Sequence, residues 1–252
     1  MSAGHGFNFV QNVADTLHLG EFENAITAIA VTGLLVLAAT VAAGQLKRSP
    51  NALIPESTLT LRNFFELIIS MIVKLGDQVM GKENRRFLPF IASIFVFLLA
   101  MNFVGLIPGM SSPTDHPGMN FGLALIVFLS YHVWGIRELG FGKYMKHFCG
   151  PVDVHWAFWI AAPFFLALEA FSHGVRPLTL TVRLFGNMTA DHAVLTAFTD
   201  LTRGAWVPVP VIFYMFGALV CFIQAFVFTV LTMVYIRLAV SHGEGHAEEA
   251  HH

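Results

Sequence analysis

Charge is scarce in this 252-residue chain. Asp, Glu, Lys and Arg make up 12% of it, where soluble domains carry about 25%. Half of the chemistry that normally faces water is missing, which excludes a soluble enzyme and a disordered chain. Positive charge in blocks is absent as well: fourteen Lys and Arg stand against sixteen Asp and Glu, for a net charge of −2. That balance excludes a nucleic-acid-binding protein. Only two cysteines occur. Cys149 in a charged stretch and Cys221 in an apolar run have no metal-ligand spacing and do not suit a bridge. Tyr and Trp number four each against twenty-five Phe, a balance fitting a lipid-facing surface. The first 22 residues hold no Lys or Arg and no continuous apolar core. A secretory signal peptide is therefore not expected there, and direct insertion of the intact chain is.

What remains is apolar: 56% hydrophobic residues and a mean hydropathy of +0.67. About 20 apolar residues cross a hydrocarbon layer of ~30 Å, and uncharged stretches mark the crossings. After an external segment 1–23, residues 24–46 read as a first span, 87–108 as a second closing at the Pro108-Gly109 turn, and 117–136 as a third. Residues 154–198 and 204–238 are too long for upright helices and must tilt, kink or break, with Pro163 and Pro177 as kink points in the first. Residues 58–80 differ. Arg62 and Glu66 are four apart, Lys74 and Asp77 three apart, and Phe64, Phe65, Leu67, Ile68, Ile69, Ile72 and Val73 fill the rest. This is an amphipathic helix at the interface or on the edge of a bundle, with an ordinary span as the alternative. The fold class is thus an all-α integral membrane protein with five transmembrane helices and one amphipathic interfacial helix, the last two helices long and strongly tilted.

Basic residues orient it. Lys47, Arg48, Arg62, Lys74, Lys82, Arg85, Arg86, Arg137, Lys143, Lys146 and Arg237 fall on one side, and Arg203 alone on the other. The positive-inside rule puts the N-terminus outside, and the His-rich tail 239–252 in the cytoplasm as a solvated segment rather than a metal site. His132 and the other scattered histidines read as interfacial or structural.

Ionisable groups inside membrane segments cost ~2.5–3.5 kcal/mol each and are functional candidates by default. Glu169, Arg176 and Arg183 recur every seven residues and share a face, with Ser172 and Asn187 within about 40° of that line. His192 points to the opposite side, next to Asp191, and Gln224 is the strongly polar residue of the last segment. Helix gluing is the competing reading for Arg176. Arg183 has no evident acid near it along the helix, so it looks reserved for something outside this chain.

Residues 176–188, RPLTLTVRLFGNM, resemble the signature of subunit a of the F-type ATP synthase. So do residues 224–236, QAFVFTVLTMVYI, and Asn102-Phe103-Val104-Gly105-Leu106-Ile107-Pro108-Gly109. The resemblance covers most of the chain from about residue 55 onward. It implies a non-catalytic stator subunit beside a ring of small hairpin proteolipids, each with a mid-membrane carboxylate, and protons moving through two aqueous half-channels. Arg183 matches the family's essential arginine, and Asn187 and Gln224 match polar residues near it. Glu169 matches a carboxylate toward the cytoplasm, and His192 an acid or histidine of the external half-channel. Asp191 stands where the family commonly has glycine, and Gly217 where members often carry histidine or glutamate. The implied partners are the ring, the peripheral stalk subunit b, the remaining ATP synthase subunits and the bilayer, in a bacterial inner membrane. No nucleotide or cofactor pattern occurs, so ATP chemistry belongs to partners. A secondary transporter is disfavoured because no internal repeat relates the halves. A plain membrane anchor leaves Arg183 without a purpose.

Overall fold

Long apolar runs with few breakers build long helices here, because a helix satisfies every backbone polar group within its own segment. The computed structural model describes residues 23–48, 60–107, 112–142, 144, 155–201 and 209–241. Every regular element among them is helical: α1 (Glu23–Arg48), α2 (Leu61–Val79), α3 (Leu88–Val104), α4 (Pro117–Leu139), α5 (His155–Leu201) and α6 (Val209–Ser241). Short 3-10 turns at Lys82–Phe87 and Pro113–Asp115 precede α3 and α4. Four stretches are long and apolar enough to cross a membrane: Ala25–Gln45, Arg85–Val104, Pro117–Leu139 and Tyr214–Val240. The expected segments 1–23 and 239–252 lie outside the described residues except for Glu23 and 239–241.

The chain divides into two compact units, Met1–His116 with Gly186–Val230, and Pro117–Phe185 with Leu231–His252. In the first, α1 opens on Glu23 and ends on Lys47-Arg48, the polarity that the helix macrodipole favours. It buries Thr27, Ala28, Val31 and Ala42 and exposes Ile29, Leu34, Val36, Leu37 and Val41, an apolar exterior that only lipid or another apolar surface can cover. α2 begins at Thr60, whose hydroxyl accepts from the Asn63 amide at 3.4 Å. Its Arg62 is buried with Nε 2.7 Å from Glu66 Oε1, one turn on. Asp77 takes a cross-turn partner rather than Lys74. Gly81, at φ +83°, turns the chain back so that Arg85 grips Asp77 with two bonds of 2.6 and 2.8 Å. A Cβ at Gly76 would stand 2.5 Å from Leu88 Cδ2, so α2 and α3 meet where only hydrogen fits.

α3 is apolar all round and buries Ile91, Ile94, Phe95, Leu98, Met101 and Asn102. The helix closes at Val104, four residues before the expected end at 108. The Gly105 amide bonds back to Asn102 O at 3.2 Å, tightening the last turn.

In the second unit, α4 starts on Pro117, a residue suited to a first turn because its missing N–H has no partner to lose. It buries Asn120, Ala124, Val127, Tyr131 and Gly135 at three- and four-residue intervals, one stripe of the helix. Gly140, at φ +77°, ends it, its amide donating to Ile136 O at 2.9 Å.

α5 passes both Pro163 and Pro177 as one 47-residue helix. A proline removes a single amide donor, and the helix continues past that local loss; one turn on, Thr181 Oγ1 donates back to the Pro177 carbonyl at 2.8 Å. Of the alternatives of tilting, kinking and breaking, breaking is excluded.

Candidate functional site

Pro177, Leu180, Thr181 and Leu184 form the buried stripe of α5 in the second unit. Their spacing of three, four and seven is that of one helix face. Arg183 lies about 110° round the helix from the middle of that stripe, and it is exposed. Ser172 and Thr179, both exposed, share its flank, while the exposed Leu178, Val182 and Phe185 lie about 100–160° away round the helix. A permanently charged guanidinium therefore stands exposed on a polar flank of a helix whose other exposed flank is apolar. Among the described residues no hydrogen bond or ion pair engages it.

Arg176 shares that flank, about 20° away in helical projection, yet it is occupied. Its Cζ stands 5.1 Å from the centroid of the Tyr235 ring, within range of a cation–π contact. It also lies near enough to Tyr131 to interact with it electrostatically. Tyr131 is fully buried, 6.1 Å from Tyr235 and 4.3 Å from His132 between ring centroids. His132 Nδ1 is 2.8 Å from Phe128 O, and Tyr144 closes the group 6.1 Å from the His132 ring. A Cβ at Gly135 would lie 2.7 Å from Tyr144 Cε2 and 3.2 Å from Ala239 O, so the cluster needs glycine there. Ser172, one turn before Arg176, is exposed.

The remaining candidates on α5, Glu169, Asn187, Asp191 and His192, have helical backbone, and their side chains lie outside the described residues.

In the first unit, Gln224 is buried on the packed face of α6 with Cys221, Ala225 and Phe228. Gly217, two turns earlier, is buried as well. One turn before Gln224, the Cys221 carbonyl accepts from Asn102 Nδ2 at 3.3 Å. Asn102 Oδ1 in turn accepts from Thr114 Oγ1 at 3.0 Å. The Thr114 and Ser112 hydroxyls are 2.6 Å apart, and Ser112 also donates to Met101 O at 3.0 Å. Two hydroxyl protons thus serve three contacts, all of them buried. The thiol of Cys221 donates to Asn102 O at 3.5 Å.

Sequence reasoning did not single out this network or the tyrosines around Arg176. The available signals were weak: one asparagine at the end of an apolar run, and two of only four tyrosines.

The sequence model of the family described as ATP synthase A chain matches residues 25–237. The chain is 39% identical over 236 residues to ATP synthase subunit a of Bdellovibrio bacteriovorus, covering 94% of this chain and 98% of that protein. It is 38% identical over 245 residues to ATP synthase subunit a 3 of Pelobacter propionicus and 36% identical over 247 residues to ATP synthase subunit a of Geobacter sulfurreducens, with 96% of both partners covered in each case. With its helices, its match across 25–237 and these near-full-length relatives, the chain belongs to the ATP synthase A chain family.

Proposed function

We propose that this chain is the proton-translocating stator subunit of a rotary ATP synthase, holding two aqueous half-channels against a ring of small hairpin subunits. It performs no ATP chemistry, which belongs to partner subunits, and it also contacts the peripheral stalk subunit b. The observation that carries the reading is Arg183, exposed and without a hydrogen bond or ion pair among the described residues, on a helix of a chain of this family. A fixed cation in a membrane segment calls for a partner that pairs with it, and a mid-membrane carboxylic acid on a neighbouring subunit has that chemistry.

Guanidinium stays protonated at any physiological pH, so Arg183 cannot carry protons. It acts as a fixed charge that makes an approaching carboxylic acid release its proton and that blocks a direct path between half-channels. At ~4 Å and an effective dielectric of ~20, such a pair is worth ~4 kcal/mol, enough to lower the acid's pKa by a few units. The driving force of ~2.3 kcal/mol per proton per 100 mV is of the same order, so the pairing is reversible under load.

Asn187 and Gln224 supply uncharged donors and acceptors that hold water in the half-channels, while Asp191 and His192 exchange protons in the external one. Glu169, Ser172 and Arg176 flank the cytoplasmic one. A 47-residue helix is ~70 Å long against ~30 Å of hydrocarbon, which supports a steeply inclined α5 as a fifth span. α2 then lies at the interface, the N-terminus faces outside, and the C-terminus faces the cytoplasm of a bacterial inner membrane.

The deciding experiment is ATP-driven proton pumping in inverted vesicles carrying Arg183→Lys. Lysine sheds its charge on burial where arginine does not, so pumping is lost while the complex still assembles. Pumping at the parental rate refutes the assigned role.

A further inference from the structure

The two arginines of α5 differ in a way that their spacing does not announce. They stand seven residues apart on the same flank of the helix, beside the buried stripe Pro177, Leu180, Thr181 and Leu184. Arg183 is exposed, whereas Arg176 reaches inward to groups from two other parts of the unit: Tyr235 near the end of α6 and Tyr131 on α4. Both tyrosines belong to a packed set. Tyr131 touches Phe128 edge to face at 5.5 Å and lies against His132 and Tyr235. His132 is fixed by the carbonyl of Phe128, and Gly135 admits Tyr144 and the Ala239 carbonyl to close approach.

A helix that packs only by apolar ridges can rotate or slide by small amounts at little cost. A guanidinium seated on an aromatic face cannot follow such a movement without losing its partner. In a dry setting an unpartnered guanidinium is costly, because no water replaces the lost contact.

We propose that Arg176 is a positioning residue: seated on the Tyr235 ring, it fixes the rotation of α5 and so the outward direction of Arg183, about two turns further along. This rests on the reading of Arg183 given above. Arg176 touches no substrate in this role. Its charge matters because it binds a π face, and its place matters because a rotation at residue 176 is passed on to residue 183 by the continuous helix between them. The arrangement also explains why the flank carries two cations of unequal exposure: one is used to hold the helix, the other is held by it.

The test uses the whole ATP synthase in inverted vesicles with three readouts: the amount of assembled complex, ATP-driven pumping, and passive proton leak after the peripheral sector is stripped. Arg176→Leu and Tyr235→Leu are each expected to lower pumping about tenfold and raise the leak, with assembled complex near the parental amount. The double variant falls no further, as expected of two residues acting through one contact. Tyr235→Phe keeps the π face and stays near the parental rate, and Arg176→Lys recovers part of the loss because an ammonium also binds an aromatic ring.

Three outcomes overturn the proposal. Parental pumping in Arg176→Leu shows that nothing depends on the anchor. A fall in assembled complex matching the fall in pumping shows a purely structural role. Loss in Arg176→Leu with parental pumping in Tyr235→Leu shows that the charge acts without the ring. The reading of Arg183 fails separately, on normal pumping by Arg183→Lys whatever Arg176 does.

Discussion

Asn102→Ala removes the centre of the buried network at the end of α3. Two bonds go with the side chain: Nδ2 to the Cys221 carbonyl at 3.3 Å, and Thr114 Oγ1 to Oδ1 at 3.0 Å. Polar contacts between membrane helices average ~0.6 kcal/mol each and reach about 1.7 kcal/mol, giving roughly 1–3 kcal/mol for the pair. The truncated amide leaves a void in a site with no exposure, worth about a further 1 kcal/mol by the cavity cost of a few missing atoms. Neither orphaned partner is stranded: the Cys221 carbonyl lies within a helix, and the Thr114 hydroxyl still has Ser112 at 2.6 Å. That retained contact keeps the loss near 2–4 kcal/mol rather than higher. Thr114→Val is the internal control, since it deletes the 3.0 Å bond and leaves the one to Cys221, for a loss of about 1 kcal/mol. Thermal dissociation of the detergent-solubilised complex, followed by retention of this subunit, ranks the variants. The expected order is parent, Thr114→Val, Asn102→Ala. If Asn102→Ala matches the parent, or sits above Thr114→Val, then the network does not tie α3 to α6.

Gly135→Ala sets a methyl 2.7 Å from the Tyr144 ring and 3.2 Å from the Ala239 carbonyl. It is expected to cost about 1–3 kcal/mol as overpacking, read by the same dissociation assay, with Tyr144→Leu in the same chain recovering part of it. Asp77→Asn weakens the two-bond grip of Arg85 at an exposed turn, and its effect on thermal dissociation is expected to stay within about 1 kcal/mol; a larger loss assigns that turn a role beyond local pairing. Asp191 and Gly217 are expected to compensate one another in bulk. Gly217→His alone lowers proton pumping, and adding Asp191→Gly restores much of it, whereas strictly additive losses would sink the idea.

The helices were readable from sequence because length and hydropathy act locally: α1, α3, α4 and α6 are runs of residues that have no other way to satisfy their backbone in lipid. The permanence of the charge on Arg183 was readable too, since it is a property of the side chain alone. The division of labour between Arg176 and Arg183 was not. Seven residues give both nearly the same azimuth, and what separates them is Tyr131 and Tyr235, supplied by segments 45 and 59 residues away from Arg176 in sequence. The Asn102–Cys221 bond closes a loop of 119 residues, beyond the reach of any periodicity. Lys74 and Asp77 illustrate the reverse error: their spacing is right for a helix pair, but the positive φ of Gly81 carries Arg85 back to Asp77 with better geometry than one turn of α2 offers.

The outward-facing guanidinium also bears on how such a protein is made. On the proposed function the chain enters the bilayer before a partner subunit pairs with Arg183, and the exposed cation then faces acyl chains. That interval costs on the order of 2.5–3.5 kcal/mol on insertion scales, a penalty that the proposed acidic neighbour lifts. An orphan copy is therefore marked by a feature that the finished assembly hides, and a membrane-embedded protease or chaperone that samples misplaced charge has a chemical basis for telling one from the other.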